Sequence, residues 1–409
     1  MNTTSKLWGA TAELISTTAA PWRKGGAVFL PAAEPLFRRL LDAADVRVGG
    51  SRPQDIAVSD PHVFQRWLSD GTLGIGETYM EGAWSSRDLG ATADRLVALP
   101  GAFKKQLFGS WATRAAWLAN KAMNLQTRAR AFQVGEAHYD IGNDVFELML
   151  DRRMVYSCAS WDGVDTLDAA QEQKLRLVCG KAKLERGMRL LEIGCGWGGL
   201  ARYAVEEHGV SAVGITISRQ QAEYARTLCE GLPVEIRVED YRDTTGTFDR
   251  ITSIGMLEHV GPKNFRAYMQ KVASLLAPGG LFVAQFNGLH KGKNHSDPWF
   301  DKYIFPNGYL PTLAEITRAA DGLLVIQDVE NIGRHYARTL DAWRQNLDAH
   351  RARIVGARGE GFMRMMEFYL CMAAAFFRAQ KYQNWQMVLS KGAFADGYRR
   401  SPQIQAART

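Results

Sequence analysis

The stretch LLEIGCGWGG, residues 190–199, sets four glycines behind a short apolar run and a glutamate, and GGLARYAVEEHG then continues as an amphipathic helix. Glycines between a strand end and a helix start let backbone approach a ligand closely. A nicotinamide site would put the helix N-terminus on a pyrophosphate and an acid about 20 residues further on, for the ribose. The next strand ends in GITISRQQA, and no Asp or Glu lies between Glu206–Glu207 and Glu223. The carboxylate stands in front of the turn instead, as Glu192. A dinucleotide site and a turn that merely packs are the competing readings. Two further places carry reactive groups: Cys158 in YSCA and Glu258 in MLEHVG. Cys158 has no base and orienting partner beside it, which argues against a nucleophile. Glu258, taken alone, reads as a surface or capping residue.

The elements that must carry these groups form two patterns. From about residue 186, RLLEI (189–193), SAVGITI (211–217), VEIRVED (234–240), FDRITSIG (248–255) and GLFVAQF (280–286) alternate with helical stretches. That alternation predicts a parallel sheet covered on both faces. ARTLDAWRQNLDAHRARI and GFMRMMEFYLCMAAAFFRAQ predict two later helices, and WQMVLSK (385–391) a last strand. The N-terminal part predicts a small α+β domain. PLFRRLLDAA reads as a helix, VRVGGSRPQDIAV as a hairpin about its Gly-Gly, and DPHVFQRWLSDG as a helix capped by Asp and stopped by Gly71. The expected division is 1–100 for this domain, 101–131 for a basic amphipathic connector, 132–392 for the catalytic domain and 393–409 for a tail.

The chain has 409 residues, 46% hydrophobic and 23% charged, with a formal charge of +7. No apolar run approaches the roughly 20 residues of a membrane span, and the N-terminus lacks the apolar segment of a secretory signal, so a cytoplasmic protein is expected. Five scattered cysteines without a CxxC pair argue against disulfides and structural zinc. The connector carries Lys104, Lys105, Arg114, Lys121, Arg128 and Arg130 with no acid, interleaved with Phe103, Trp111 and Trp117. It suits a helix on the protein's own core or an anionic membrane surface. No nucleic-acid motif accompanies the charge.

Glu192, Gly194, Gly196 and Gly198 together resemble the E/D-x-G-x-G-x-G turn of S-adenosylmethionine-dependent methyltransferases. Further segments, in order, resemble the cyclopropane fatty acid (mycolic acid) synthases: GTLGIGETYMEGAW (71–84), HYDIGNDVFELMLDRRMVYSCASW (138–161), DYRDTTGTFDRITSIGMLEHVGPKNF, DKYIFPNGYLPTLAEI, NIGRHYARTLDAWRQNL and AFFRAQKYQNWQMVLSKG. The resemblance spans roughly residues 38–392 and includes the N-terminal domain of the phospholipid-acting branch. It implies a class I methyltransferase, a Rossmann-like seven-stranded α/β sheet, with methyl transfer to the cis double bond of an unsaturated phospholipid acyl chain. A peripheral position at the inner membrane surface, and a homodimer, follow as expectations.

Carried over by motif, Tyr156 and Ser157 should lie over the donor, Gly194, Cys195 and Gly196 should contact its methionine part, Thr216 and Gln221 should hold the ribose, and Asp240 and Tyr241 should flank the adenine. The chemistry needs a dry site, because alkene attack on the sulfonium methyl leaves a carbocation on the chain. Aromatic faces can stabilise it; Tyr139, Phe146, Tyr303, Phe305 and Tyr336 are the candidates. A base then removes a proton, and its position decides between ring closure and a methyl- or methylene-branched product. The family's base is a bound bicarbonate held by Cys, Glu, His, Tyr and backbone, which points to Cys158, Glu258 and Tyr336. Where the family reads His in LLHTIG, this chain reads VAQFNG, with Gln285. Gln can hydrogen-bond an anion but carries no charge, so the departure weakens the bicarbonate site and keeps a branched product in view; His290 nearby is a possible substitute. A lipid-binding protein without turnover and a methyltransferase of soluble molecules are the remaining alternatives.

Overall fold

The computed structural model describes residues 33–99, 141–290, 297–394 and 397–400. Helix α1 (Ala33–Ala43) buries Phe37, Leu40 and Leu41 at helical spacing. The expected hairpin after it does not form. Strand β1 (Ile56–Val58) pairs antiparallel with the distant β2 (Trp84–Ser86), and Val48 meets Ile56 only in a parallel bridge. The buried Asp55 explains the difference, since its carboxylate accepts from the Arg47 and Arg52 backbone N–H groups and organises the loop that the Gly-Gly turn was expected to close.

Helix α2 (Val63–Asp70) ends at Gly71, as its end signal predicts, and α3 (Thr72–Met80) starts at once. No periodicity announces a helix over TLGIGETYM, because its glycines lower helix propensity. Gly74 and Gly76 are there for close approach: a Cβ at Gly76 would stand 2.3 Å from the Trp299 ring. Helix α4 (Leu89–Ala98) completes the unit, with Asp88 capping it through Ala91 N–H. Phe37, Phe64, Trp67, Trp84 and Tyr79 form an aromatic chain reaching Phe368. The N-terminal elements thus share one hydrophobic cluster with the C-terminal helices.

Helices α5 (Asn143–Met149) and α6 (Leu167–Ala182) lead into the main sheet. There follow β3 (Arg189–Ile193), α7 (Gly199–His208), β4 (Ser211–Thr216), α8 (Arg219–Leu228), β5 (Val234–Val238) and β6 (Phe248–Ile254). A short α9 (Leu257–Val260), α10 (Phe265–Leu275) and the long β7 (Leu276–Leu289) come next. After α11 (Pro298–Tyr303), α12 (Leu313–Ala320) and β8 (Val325–Asn331), the helices α13 (Tyr336–Ala349), α14 (Arg351–Arg358) and α15 (Glu360–Arg378) precede β9 (Tyr382–Ser390).

The seven strands lie in the order β5-β4-β3-β6-β7-β9-β8. The first five are mutually parallel, while β9 is antiparallel to both its neighbours, so the sheet is mixed and not parallel throughout. The reason lies in α15. It delivers the chain to the carboxyl end of β7, where Tyr382 pairs with Leu289, and β9 must run back from there. β8 is an edge strand that the hydrophobic pattern does not announce, because Val325 and Ile326 face solvent. Strand order reverses at β3 and β6, which opens a crevice above their carboxyl ends.

Candidate active site

That crevice is one continuous cavity of about 300 Å³, polar at the glycine turn and apolar beneath α13 and α15. At its polar end, Gly194 and Gly196 hold positive φ (81° and 55°), a backbone state L side chains disfavour. Gly199 lies so close to Arg153 that a Cβ would stand 2.3 Å from its carbonyl oxygen. Glu192, at the end of β3, accepts a hydrogen bond from Ala201 N–H at 3.0 Å and so anchors the first turn of α7. Burial raises its carboxyl to about 8, against the attraction of Lys174. Lys174 is itself buried, which lowers it to about 8, and its Nζ donates to Ser157 Oγ at 3.0 Å. A cation, an acid and a hydroxyl thus converge on the cavity wall.

Further along the rim, the Thr216 hydroxyl donates to Gln221 Oε1 at 3.0 Å, which leaves the Gln221 amide nitrogen as the donor for a ligand hydroxyl. Asp240 is held by Arg242, through its backbone N–H and its guanidinium at 2.7 Å, and Tyr241 packs edge-on to Tyr268. Tyr156 lies against Phe146 and Trp343, its hydroxyl 2.9 Å from that of Tyr369. Tyr156, Ser157, Glu192, Gly194, Cys195, Gly196, Thr216, Gln221, Asp240 and Tyr241 all line the cavity; Gly198 shapes the turn from behind, its Cα facing Ala225 and Cys229. The donor set suits S-adenosylmethionine, which has a diol, an adenine and an amino-acid end but no phosphate.

Where the polar end meets the apolar one, Glu258 reaches in from α9. Its Oε1 accepts from Asn287 N–H at 2.6 Å, and its buried Oε2 has no hydrogen-bond partner among the described residues. Burial raises this carboxyl to about 7, with Asn287 pulling it back down. Burial also pushes the Tyr336 hydroxyl upward, although the Asn287 side chain lowers it. Asn287 is oriented in turn by Asn384, whose amide donates to its Oδ1 at 2.7 Å. Gln285, two residues earlier on β7 and therefore on the same face, lines the same wall. Asn287 is the cavity residue the motifs missed, and this two-residue alternation along β7 is the signal that finds it.

Cys158 is fully buried beside this wall and is not part of it. Its Sγ faces the Ala159 and Ile332 carbonyls, and burial drives the thiol well up. Of the aromatic candidates, Phe305 and Tyr336 line the cavity. Phe146 packs beneath Tyr156 and Trp197, and Tyr303 turns its hydroxyl to Glu77 at 2.8 Å. Tyr139 and the connector 101–131 lie outside the described residues. His290 is exposed beyond the end of β7 and does not reach the cavity. Phe300, Leu340, Tyr369, Ala373, Phe377 and Tyr382 wall the apolar end, a channel fit for hydrocarbon.

The mixed seven-stranded sheet with its glycine turn is the fold of a class I S-adenosylmethionine-dependent methyltransferase. Residues 126–387 match the mycolic acid cyclopropane synthetase family, and the chain belongs to that family. It is 43% identical over 363 residues to the cyclopropane-fatty-acyl-phospholipid synthase of Escherichia coli (strain K12), covering 87% of this chain and 93% of that protein. A probable fatty acid methyltransferase of Pseudomonas putida is 31% identical over 382 residues, covering 90% of this chain and 94% of that protein. The crystal structure of mycolic acid cyclopropane synthase CmaA1 complexed with SAH and CTAB superposes with a TM-score of 0.60 at 31% identity, over 64% of this chain and 98% of that one.

Proposed function

We propose that this enzyme transfers a methyl group from S-adenosylmethionine to the cis double bond of an unsaturated phospholipid acyl chain and closes a cyclopropane ring. The observation that carries the reading is the meeting of a polar donor pocket and a hydrocarbon-walled channel at Glu258, Asn287, Gln285 and Tyr336. The alkene π pair forms the new C–C bond as the C–S bond breaks toward sulfur. Loss of a proton from the added carbon then supplies the pair that closes the ring. Tyr336, Phe305 and Tyr369 present aromatic faces to the intervening cation. The apolar wall excludes water, which would otherwise capture it.

The proton acceptor we assign is bicarbonate, which supplies a small base without a side chain of its own. The unpartnered Glu258 Oε2 fits it: with the carboxyl near 7, a protonated Glu258 donates to an anion at neutral pH. Gln285 and Asn287 add amide N–H donors, and Tyr336 a hydroxyl. Cys158 offers its carbonyl side to Gln285, in keeping with a role in shaping the site. Residues 1–100 and the basic segment 101–131 are assigned to lipid and membrane contact at the inner face of a cytoplasmic membrane, as a peripheral protein; no described helix is long and apolar enough to cross one.

The test is mass and NMR analysis of lipids from cells expressing the chain. A gain of one CH2 with cyclopropyl proton signals is expected. The same gain without those signals would establish the second reading, a methylene-branched chain or a methyl-branched alkene, which Gln285 in place of the family histidine favours.

A further inference from the structure

We propose that Lys181 and Gln386 are positioning residues that fix the direction of the Gln285 amide, so that Gln285 offers N–H and not carbonyl oxygen to the anion in the active site. The proposal rests on the base-site reading above. Lys181, on α6, has a side chain only 1% exposed, although it lies outside the cavity wall. Its Nζ donates to Glu330 Oε2 at 2.7 Å and to Gln386 Oε1. An ammonium group has donors only, so Gln386 must turn its oxygen toward Lys181 and its nitrogen away. That nitrogen donates to Gln285 Oε1 at 2.9 Å. Gln285 is then left with its own nitrogen on the far side, 3.4 Å from the Cys158 carbonyl oxygen, with a second proton for the cavity it lines.

Neither end of this chain tolerates reversal. A flipped Gln285 would set its oxygen against the Cys158 carbonyl and its nitrogen against that of Gln386. An amide has no intrinsic preference for either direction; the lysine at the head of the relay imposes one. Glu330 pairs with Lys181, and Arg400, which also reaches Glu330 at 3.3 Å, is paired with Asp328, so the cluster is neutral and direction, not charge, is what reaches the site. Buried polar chains of this kind are costly unless every member is paired, and this one gains a function for its cost. A glutamine can thereby occupy a histidine's place as a neutral, one-way donor.

The test exchanges two groups without altering the buried charge. In the double variant Gln386→Glu/Glu330→Gln, the new carboxylate accepts from Lys181 and also from Gln285, which must swing its nitrogen over and point its oxygen into the cavity. Melting of the purified protein is followed in CO2-depleted buffer during titration with bicarbonate and, separately, with S-adenosylhomocysteine. The half-saturating bicarbonate concentration is expected to rise at least about tenfold, the cost of exchanging a hydrogen bond for an acceptor–acceptor contact. The S-adenosylhomocysteine midpoint should stay within twofold. An unchanged bicarbonate midpoint in the folded variant overturns the positioning role. Should the double variant not fold, Lys181→Met and Lys181→Arg decide: the arginine keeps a donors-only head and should restore what the methionine loses, and equal midpoints overturn the proposal. If the unaltered protein turns over lipid yet never responds to bicarbonate, the base-site reading itself falls, and the relay with it.

Discussion

Replacing Glu258 with glutamine should stabilise the fold while disabling the reaction. Burial places the Glu258 carboxyl at about 7 in the native state, against an ordinary glutamate value of 4.5. The rise from 4.5 to about 7, at roughly 1.4 kcal/mol per tenfold change in proton affinity, is worth about 3.5 kcal/mol. The sign follows from which state holds the proton. Between 4.5 and about 7 the native protein binds it and the unfolded chain does not, so stability falls as pH rises through that window. Above it the full cost of a buried carboxylate is present. Glutamine keeps an acceptor for Asn287 N–H, which now sits 2.6 Å from Oε1, and never ionises. Parent and variant should therefore melt together near pH 4.5 and diverge by pH 8, the variant higher. With 409 residues at an unfolding entropy of roughly 2 cal/mol/K each, that free energy corresponds to about 4 °C. Calorimetry at matched ionic strength from pH 4.5 to 8 reads this directly. Product formation should fall at least about tenfold in the same variant, because an amide can hold the anion by its N–H but cannot exchange the proton that the anion gains. A melting gap independent of pH, or one that favours the parent as pH rises, would refute the account of Glu258 as a proton-holding buried acid.

Two further outcomes separate the forces at the donor site. Gly199→Ala drives a Cβ to 2.3 Å from the Arg153 carbonyl, whereas Gly196→Ala meets nothing within 4 Å and suffers only from its φ of 55°. Chemical denaturation should show a loss of several kcal/mol for the first and of about 1 kcal/mol for the second; similar losses would mean the turn is not packed as described. Gln221→Leu removes the amide that the Thr216 hydroxyl orients. Calorimetric titration should show S-adenosylhomocysteine binding weakened by about tenfold, with the KM for lipid vesicles unchanged, and unaltered binding would take Gln221 out of the ribose site.

The parts of this molecule legible in the sequence are those where one force acts alone. Buried parallel strands read as apolar runs, so Arg189–Ile193 and Ser211–Thr216 are visible almost to the residue. β8 is hidden because an edge strand buries little; its Val325 and Ile326 face water and nothing in the pattern demands a strand. α3 is hidden for the opposite reason. Its glycines are tertiary features, kept small by the Trp299 ring and the Arg66 carbonyl, and local propensity counts them against a helix. The hairpin failed because a buried carboxylate, Asp55, outcompetes a Gly-Gly signal for the local N–H groups.

The site divides in the same way. The residues that the family resemblance assigns to the donor could be named before the fold, and nearly all of them line one cavity. Residues that act on those residues could not. Asn287 is ordered by Asn384 from β9, nearly a hundred positions away, and Gln285 by Gln386 and Lys181, from a strand and a helix on either side. A substitution such as glutamine for the family histidine therefore reads, in sequence, as a loss of charge and a weaker anion site. In the folded chain the same glutamine is gripped at both ends of its amide, and its single remaining freedom is a proton pointed at the place where an acceptor must sit. Under the proposed mechanism, product choice then turns on whether a fixed neutral donor holds that acceptor as close to the added methyl carbon as an imidazole would.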